Sequence, residues 1–204
     1  MARKVRFELR DLTRIAVFSA IIAVLGLPGA IPIFGSPVPI VVQNLGMMLA
    51  GVVLGPWAGA AAVLVFEVLV FAGLPLLSGG HGGAAVFFGP TAGYLIGWVV
   101  GAFVIGLIVN TGTRKPQWWR VALGCVVGGI VVVYGMGIPV LAWVLSAPID
   151  KMALSNVVYL PGDVIKVIVA TVISLALWRA YPQSFVRTAA VTARVEEPAA
   201  HVSY

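Results

Sequence analysis

Long apolar runs broken by short stretches of glycine, proline and charge make up this chain, and the run lengths predict its elements. A transmembrane helix needs roughly 20 mostly apolar residues, and six such runs fit. The first span is expected over residues 12–27, ending at the breaker Pro28-Gly29. A loop rich in Pro and Gly over 28–39 leads to a short second span, 40–54, which stops at Gly55-Pro56. Proline suits the first turn of a helix, so a tight uncharged turn joins it to a third span over 57–73. The fourth span starts near Gly89-Pro90 and runs to 109, the fifth covers 121–145 and the sixth 161–179. Proline removes a backbone donor inside a helix, so Gly135-Met136-Gly137-Ile138-Pro139 predicts a kink or interruption in the fifth span. Loops are expected at 74–88, 110–120 and 146–160.

The charges then set orientation. All but two of the thirteen Lys and Arg residues lie at the N-terminus, in the 110–120 loop or after the last apolar run. The loop carries Arg114, Lys115 and Arg120 with Trp118 and Trp119 as interfacial anchors, which places it in the cytoplasm. Six spans put both termini on that same side. The expected fold is therefore an all-α integral membrane protein, six transmembrane helices in one bundle with both termini cytoplasmic, in the plasma membrane. Its parts are a basic cytoplasmic N-terminus (1–11), the six-helix membrane domain (12–180) and a polar cytoplasmic tail (181–204). The basic start leads into an apolar run with no small-residue cleavage site, so the first helix is read as retained.

Composition excludes other classes. A chain that is 61% hydrophobic and 10% charged would expose far larger apolar patches than water tolerates. The net charge of +6 is spread beside spans rather than gathered on one face with exposed aromatics, so orientation explains it better than nucleic acid. The single Cys125 lies in an apolar span without a partner, leaving no disulfide framework and no cysteine-based metal site.

The two basic residues outside that distribution are Lys151 and Lys166. Lys166 follows Asp163 by three positions at the start of an otherwise apolar helix, so both lie on one face. At about 1.5 Å rise per residue, Lys166 is some 7.5 Å along from Pro161. A charge at the centre of a membrane helix costs at least about 2.5–3.5 kcal/mol, less near the ends, unless it meets a polar cavity or a partner. A ligand site near the outer surface supplies both. The alternative is structural, Asp163 complementing the helix dipole and Lys166 its ion-pair partner. Glu67, the only acid between Asp11 and Asp150, either hydrogen-bonds across the bundle or lines the same cavity. The run Gly79-Gly80-His81-Gly82-Gly83 lets backbone approach a ligand or another loop. His81 has no second His or Cys spaced to join it at a metal.

Two stripes of small residues remain. Gly89, Gly93, Gly97 and Gly101 recur every four residues and suit close helix contact within the chain. Ala16, Ser19, Ala20 and Ala23 form a stripe on the first span that serves either internal packing or another subunit. No Gly-x-x-x-x-Gly-Lys-Ser/Thr phosphate loop, His-Glu-x-x-His motif or nucleophile elbow occurs, so neither ATP hydrolysis of that type nor a recognised catalytic spacing is present. Six spans with intramembrane charge and no motor read as a binding protein, not an enzyme, with no cofactor.

Gly35-Ser36-Pro37-Val38-Pro39-Ile40, Gln43-Asn44-Leu45-Gly46, Leu49-Ala50-Gly51 and Leu54-Gly55-Pro56 form an ordered set of motifs. It continues with Ala72-Gly73-Leu74-Pro75, the glycine loop 79–83, Gly89-Pro90-Thr91-Ala92-Gly93-Tyr94-Leu95 and Leu160-Pro161-Gly162-Asp163-Val164-Ile165-Lys166. In this order, over residues 14–180, the set resembles the BioY family, the biotin-specific substrate-binding components of energy-coupling-factor transporters. The resemblance implies a six-helix S component with an outward-facing biotin cavity between the outer glycine-rich loops and helices four to six. It implies that Asp163 and Lys166 help to hold biotin, that the loop with Gly80, His81 and Gly82 approaches it, and that Tyr94 lines the cavity. It implies a transmembrane coupling subunit docked on an Ala-x-x-x-Ala motif, here Ala16 and Ala20, and separate ATPases that alone use ATP. S components of the family are thought to topple in the membrane during delivery. Glu67 departs from the pattern, where an apolar or aromatic residue is expected, and His81 fills the variable place in the glycine loop. Biotin's ureido ring offers two N–H donors and a carbonyl, and its valerate a carboxylate, which suit an Asp acceptor and a Lys donor. The competing readings are an S component for another vitamin and a small intramembrane enzyme using Glu67, Asp163 and His81.

Overall fold

The structure is a computed structural model that describes residues 9–29, 41–110 and 115–185. The start of the basic N-terminus, most of the expected 28–39 loop, Arg114 and most of the polar tail lie outside these residues. The described residues form helices α1 (Leu9–Val24), α2 (Gln43–Phe71), α3 (Ala92–Asn110), α4 (Trp118–Val126), α5 (Val133–Val144), α6 (Ile149–Asn156) and α7 (Leu160–Ala180), with no strand among them. Among the described residues, four helical runs are long and apolar enough to cross a membrane: Gln43–Phe71, Ala92–Asn110, Trp118–Val144 and Ile149–Ala180.

α2 is two helices joined back to back. At Gly55 the backbone takes φ 79° and ψ −174°, a conformation essentially reserved for glycine, and Pro56 follows it. A Cβ placed on Gly59 would fall 2.8 Å from the Ala50 carbonyl oxygen and 2.9 Å from Gly51 Cα. Nine residues along one straight helix would separate these groups by about 13.5 Å, so the chain reverses at Gly55 and its halves run antiparallel. The turn expected from Gly55-Pro56 is therefore present. The end of α3 presses on it, with Gly106 so close that a Cβ would sit 2.3 Å from Pro56 N.

The glycine ladder on α3 packs within the chain. Added Cβ atoms on Gly93, Gly97 and Gly101 would lie 2.5 Å from Met136 O, 3.0 Å from Val133 Cα and 2.5 Å from Gly128 O. Gly89 lies outside the helix and meets only its own turn. Where the opposing run meets Gly101 it winds into a π-helical turn at Val127–Val132. The irregularity expected at Gly135 to Pro139 is displaced to this turn. Pro139 itself sits inside a continuous α5. Gly128 and Gly129 decide the position, because only there can the backbone close on Gly101 and on Met48, whose Cε would be 2.4 Å from a Cβ at Gly129.

Two expected loops are partly helical. Residues 146–160 hold α6 and a 3-10 turn at Val157–Tyr159 that runs on into α7, so Asp150, Lys151 and Asn156 belong to a helix. Their polarity read as loop because α6 is short and exposed along much of its length. Between α2 and α3, Leu77 and His81 pair in an isolated bridge around Gly79 and Gly80 (φ 85° and 75°), and a 3-10 helix, Ala84–Phe88, follows. Arg14 donates to the Gln183 carbonyl, which brings the start of α1 and the end of α7 to one end of the bundle.

Candidate functional site

Asp163 stands in the first turn of α7 behind Pro161 and is 2% exposed. A carboxylate so enclosed loses several kcal/mol of hydration, about what a set of charge-assisted hydrogen bonds can restore. Three elements provide them. Lys166 Nζ donates to Asp163 Oδ1 at 2.9 Å from one turn along α7, and Asn44 Nδ2 donates to the same oxygen at 3.1 Å from the first turn of α2. The Tyr134 hydroxyl of α5 donates to Oδ2 in a short contact. α2, α5 and α7 therefore converge on one carboxylate.

A second polar group adjoins the first through aromatic packing. Tyr94 of α3 donates to Asn156 Oδ1 at 2.7 Å, and Asn156 Nδ2 bonds back to Met152 O within α6. The Tyr94 ring meets the Tyr134 ring edge to face with centroids 6.3 Å apart. It lies against Gly137, where a Cβ would come within 2.4 Å of it, so the Gly135 to Pro139 sequence makes room for a tyrosine rather than a break.

The glycine loop is tied to this group through the neighbouring residue. Gln43, 1% exposed, donates to Ile22 O and Leu76 O and accepts from Ser78 N and Ser78 Oγ. Adjacent amides thus hold different partners, Gln43 the loop and Asn44 the carboxylate. Within the loop, Gly80 and His81 are exposed, while Gly82 is pressed so close to the Leu74 carbonyl that a Cβ would lie 2.2 Å from it.

The expected residues therefore separate. Asp163 and Lys166 are paired and joined to Tyr94 by way of Tyr134, whereas Gly80, His81 and Gly82 stand in the separate loop that Gln43 holds through Leu76 and Ser78. Glu67 is 6% exposed and its Oε1 has no hydrogen-bond partner among the described residues. Among the described residues no three His, Cys, Asp or Glu side chains converge as metal ligands do.

Sequence reasoning missed Asn44, Tyr134 and Asn156 as members of the cluster. Two consecutive amides opening an apolar span were a signal of the kind that exposed Asp163. Tyr134 gave none, because its direction depends on the π turn before it. On α1, Ala16 and Ala20 are exposed, while Ser19 turns inward and donates to Ala62 O at 2.7 Å, so the expected stripe is split between two faces.

The model of the BioY family matches residues 1–183. The biotin transporter BioY of Rhizobium etli is 47% identical over 178 residues, taking in 85% of this chain and 95% of that protein. The biotin transporter BioY of Rhodobacter capsulatus is 43% identical over 185 residues, 86% of this chain and 96% of that one. A crystal structure of the S-component for biotin from an ECF-type ABC transporter superimposes with a TM-score of 0.80 at 37% identity, over 87% of this chain and 95% of that chain. With the ordered motifs, the fold and these likenesses in agreement, the chain belongs to the BioY family.

Proposed function

We propose that this chain is the high-affinity biotin-binding S component of an ECF-type vitamin uptake transporter. The observation that carries the proposal is the buried Asp163, held by Lys166, Asn44 and Tyr134, in a chain of one fold with a biotin S-component. It binds and does not catalyse.

Six membrane crossings follow if α1, each half of α2, α3, the run Trp118–Val144 and α7 cross once, with both termini in the cytoplasm and the chain in the plasma membrane. The positive charges beside the spans and the contact of Arg14 with Gln183 support this topology. The Asp163 cluster and the glycine loop then lie toward the outer face. There biotin meets Asp163, Lys166 and Tyr94, with Gly80, His81, Gly82 and Glu67 at the margins of the cavity. Nanomolar capture of a scarce vitamin is about −12 kcal/mol, which a small ligand reaches only when almost wholly enclosed, so the loop closes over it. A transmembrane coupling subunit docks on Ala16 and Ala20, and separate ATPases drive delivery.

Labelled-biotin binding to the purified chain in detergent, with unlabelled riboflavin and thiamin as competitors and Asp163→Ala as the site variant, tests this reading. Tight binding that the competitors leave untouched and the variant loses by at least about 30-fold is expected, since truncating a buried charged partner of a hydrogen bond to the ligand costs about 2–5 kcal/mol. No binding by well-folded protein would overturn the assignment to biotin.

A further inference from the structure

Three side-chain atoms among the described residues are buried without a hydrogen-bond partner: Asn44 Oδ1, Glu67 Oε1 and Ser174 Oγ. Asn44 is the one whose side chain bonds Asp163. A buried acceptor left unpaired destabilises a fold, so each such atom calls for a reason. Chemistry fixes which way this amide points. The group 3.1 Å from Asp163 Oδ1 must be the NH2, because a carbonyl oxygen there would face a carboxylate oxygen. The carbonyl oxygen is then the atom left over, about 2.2 Å from that nitrogen by amide geometry. Asp163, by contrast, is nearly saturated, with two donors on Oδ1 and one on Oδ2 against about four acceptor positions on an ionised carboxylate.

We infer that Asn44 reads the ligand directly, its Oδ1 accepting one N–H of a cyclic urea while Asp163 accepts the other. This rests on the reading of the Asp163 cluster as the biotin site and adds to it a specificity-determining residue. The count of groups supports it. A ureido ring presents two N–H donors and one carbonyl. The cluster offers one remaining position on Asp163, one unpaired acceptor on Asn44, and two N–H groups on Lys166 beyond the one given to Asp163. A ligand with a single donor would leave Asn44 Oδ1 buried and unpaired, and a site built around a hydrogen bond rejects analogues that lack it.

The test uses the full chain in detergent with biotin and its two mono-N-methyl derivatives, one for each ureido nitrogen, bound to wild type, Asn44→Ala and Asp163→Ala. Wild type should reject both derivatives. Asn44→Ala should weaken biotin by about 10–100-fold and should accept one derivative nearly as well as biotin, because the lost side chain frees both the bond and the space at that nitrogen. The other derivative should stay rejected. Asn44→Ser, whose side chain is too short to reach the ring, should give the same pattern and stands in if the alanine variant misfolds. If the Asn44 variants discriminate against both derivatives as strongly as wild type, Asn44 merely holds Asp163 and the inference is overturned. Unchanged biotin binding in Asp163→Ala would instead overturn the site reading on which it rests.

Discussion

Gln43 uses both N–H groups and both lone pairs of its amide, tying α1, the Leu76 carbonyl and Ser78 into one unit. No neighbouring side chain could replace it, because the groups it joins are mostly backbone atoms from segments far apart in sequence. Gln43→Leu removes all four bonds at nearly constant volume. Three of the four reach the loop, and at roughly 0.5–1.5 kcal/mol net for each the loop should loosen by about 1.5–4.5 kcal/mol. Hydrogen exchange at the Ser78 amide should then accelerate at least about 10-fold, and bound biotin should dissociate faster. Unchanged protection at Ser78 would mean that the loop is held by its own turns. The same scale explains the uneven legibility of the site. Asp163 and Lys166 stood out because charge is expensive in an apolar segment, whereas an uncharged Tyr134 is ordinary in any span.

The elements owe their shape to a few close backbone contacts. Gly55 reverses α2 in one residue, and Gly106 allows the end of α3 to lie against that reversal. An alanine at position 55 would carry a Cβ into a region of backbone space that costs about 1–3 kcal/mol. Gly55→Ala should lower the thermal midpoint in detergent by several degrees while leaving helical content near wild type. A midpoint equal to wild type would show that the turn relaxes without strain. Position 55 was readable from Gly55-Pro56 because both residues have fixed local meanings. The π turn at Val127–Val132 was not readable, since it lies where Gly128 closes on Gly101 and Gly129 on Met48, contacts that exist only after folding.

At the scale of the whole molecule, the exterior is apolar on several sides, with Val17, Val68, Val131, Trp143, Ile165 and Ile168 all exposed. In water such a surface would aggregate, and in a bilayer it is solvated. The α1 surface differs in being small at Ala16 and Ala20, which lets another helix approach closely. Ala16→Trp should abolish energised biotin uptake in cells while the purified variant binds biotin as wild type does. Full uptake by the variant would move the docking surface elsewhere.

The sequence by itself determined the long apolar helices, the reversal at Gly55, the glycine face of α3 and the pairing of Asp163 with Lys166. Each rests on a local rule of length, charge cost, or glycine and proline geometry. Only the tertiary structure decided which side chains complete the site. Where the solvent is lipid, helices such as α2 and α3 are apolar on every side, so no alternation of polar and apolar residues marks the inward face. The contact of glycine with backbone sets that face instead. It turns Asn44, Tyr134 and, through Tyr94, Asn156 toward a common centre from four separate helices.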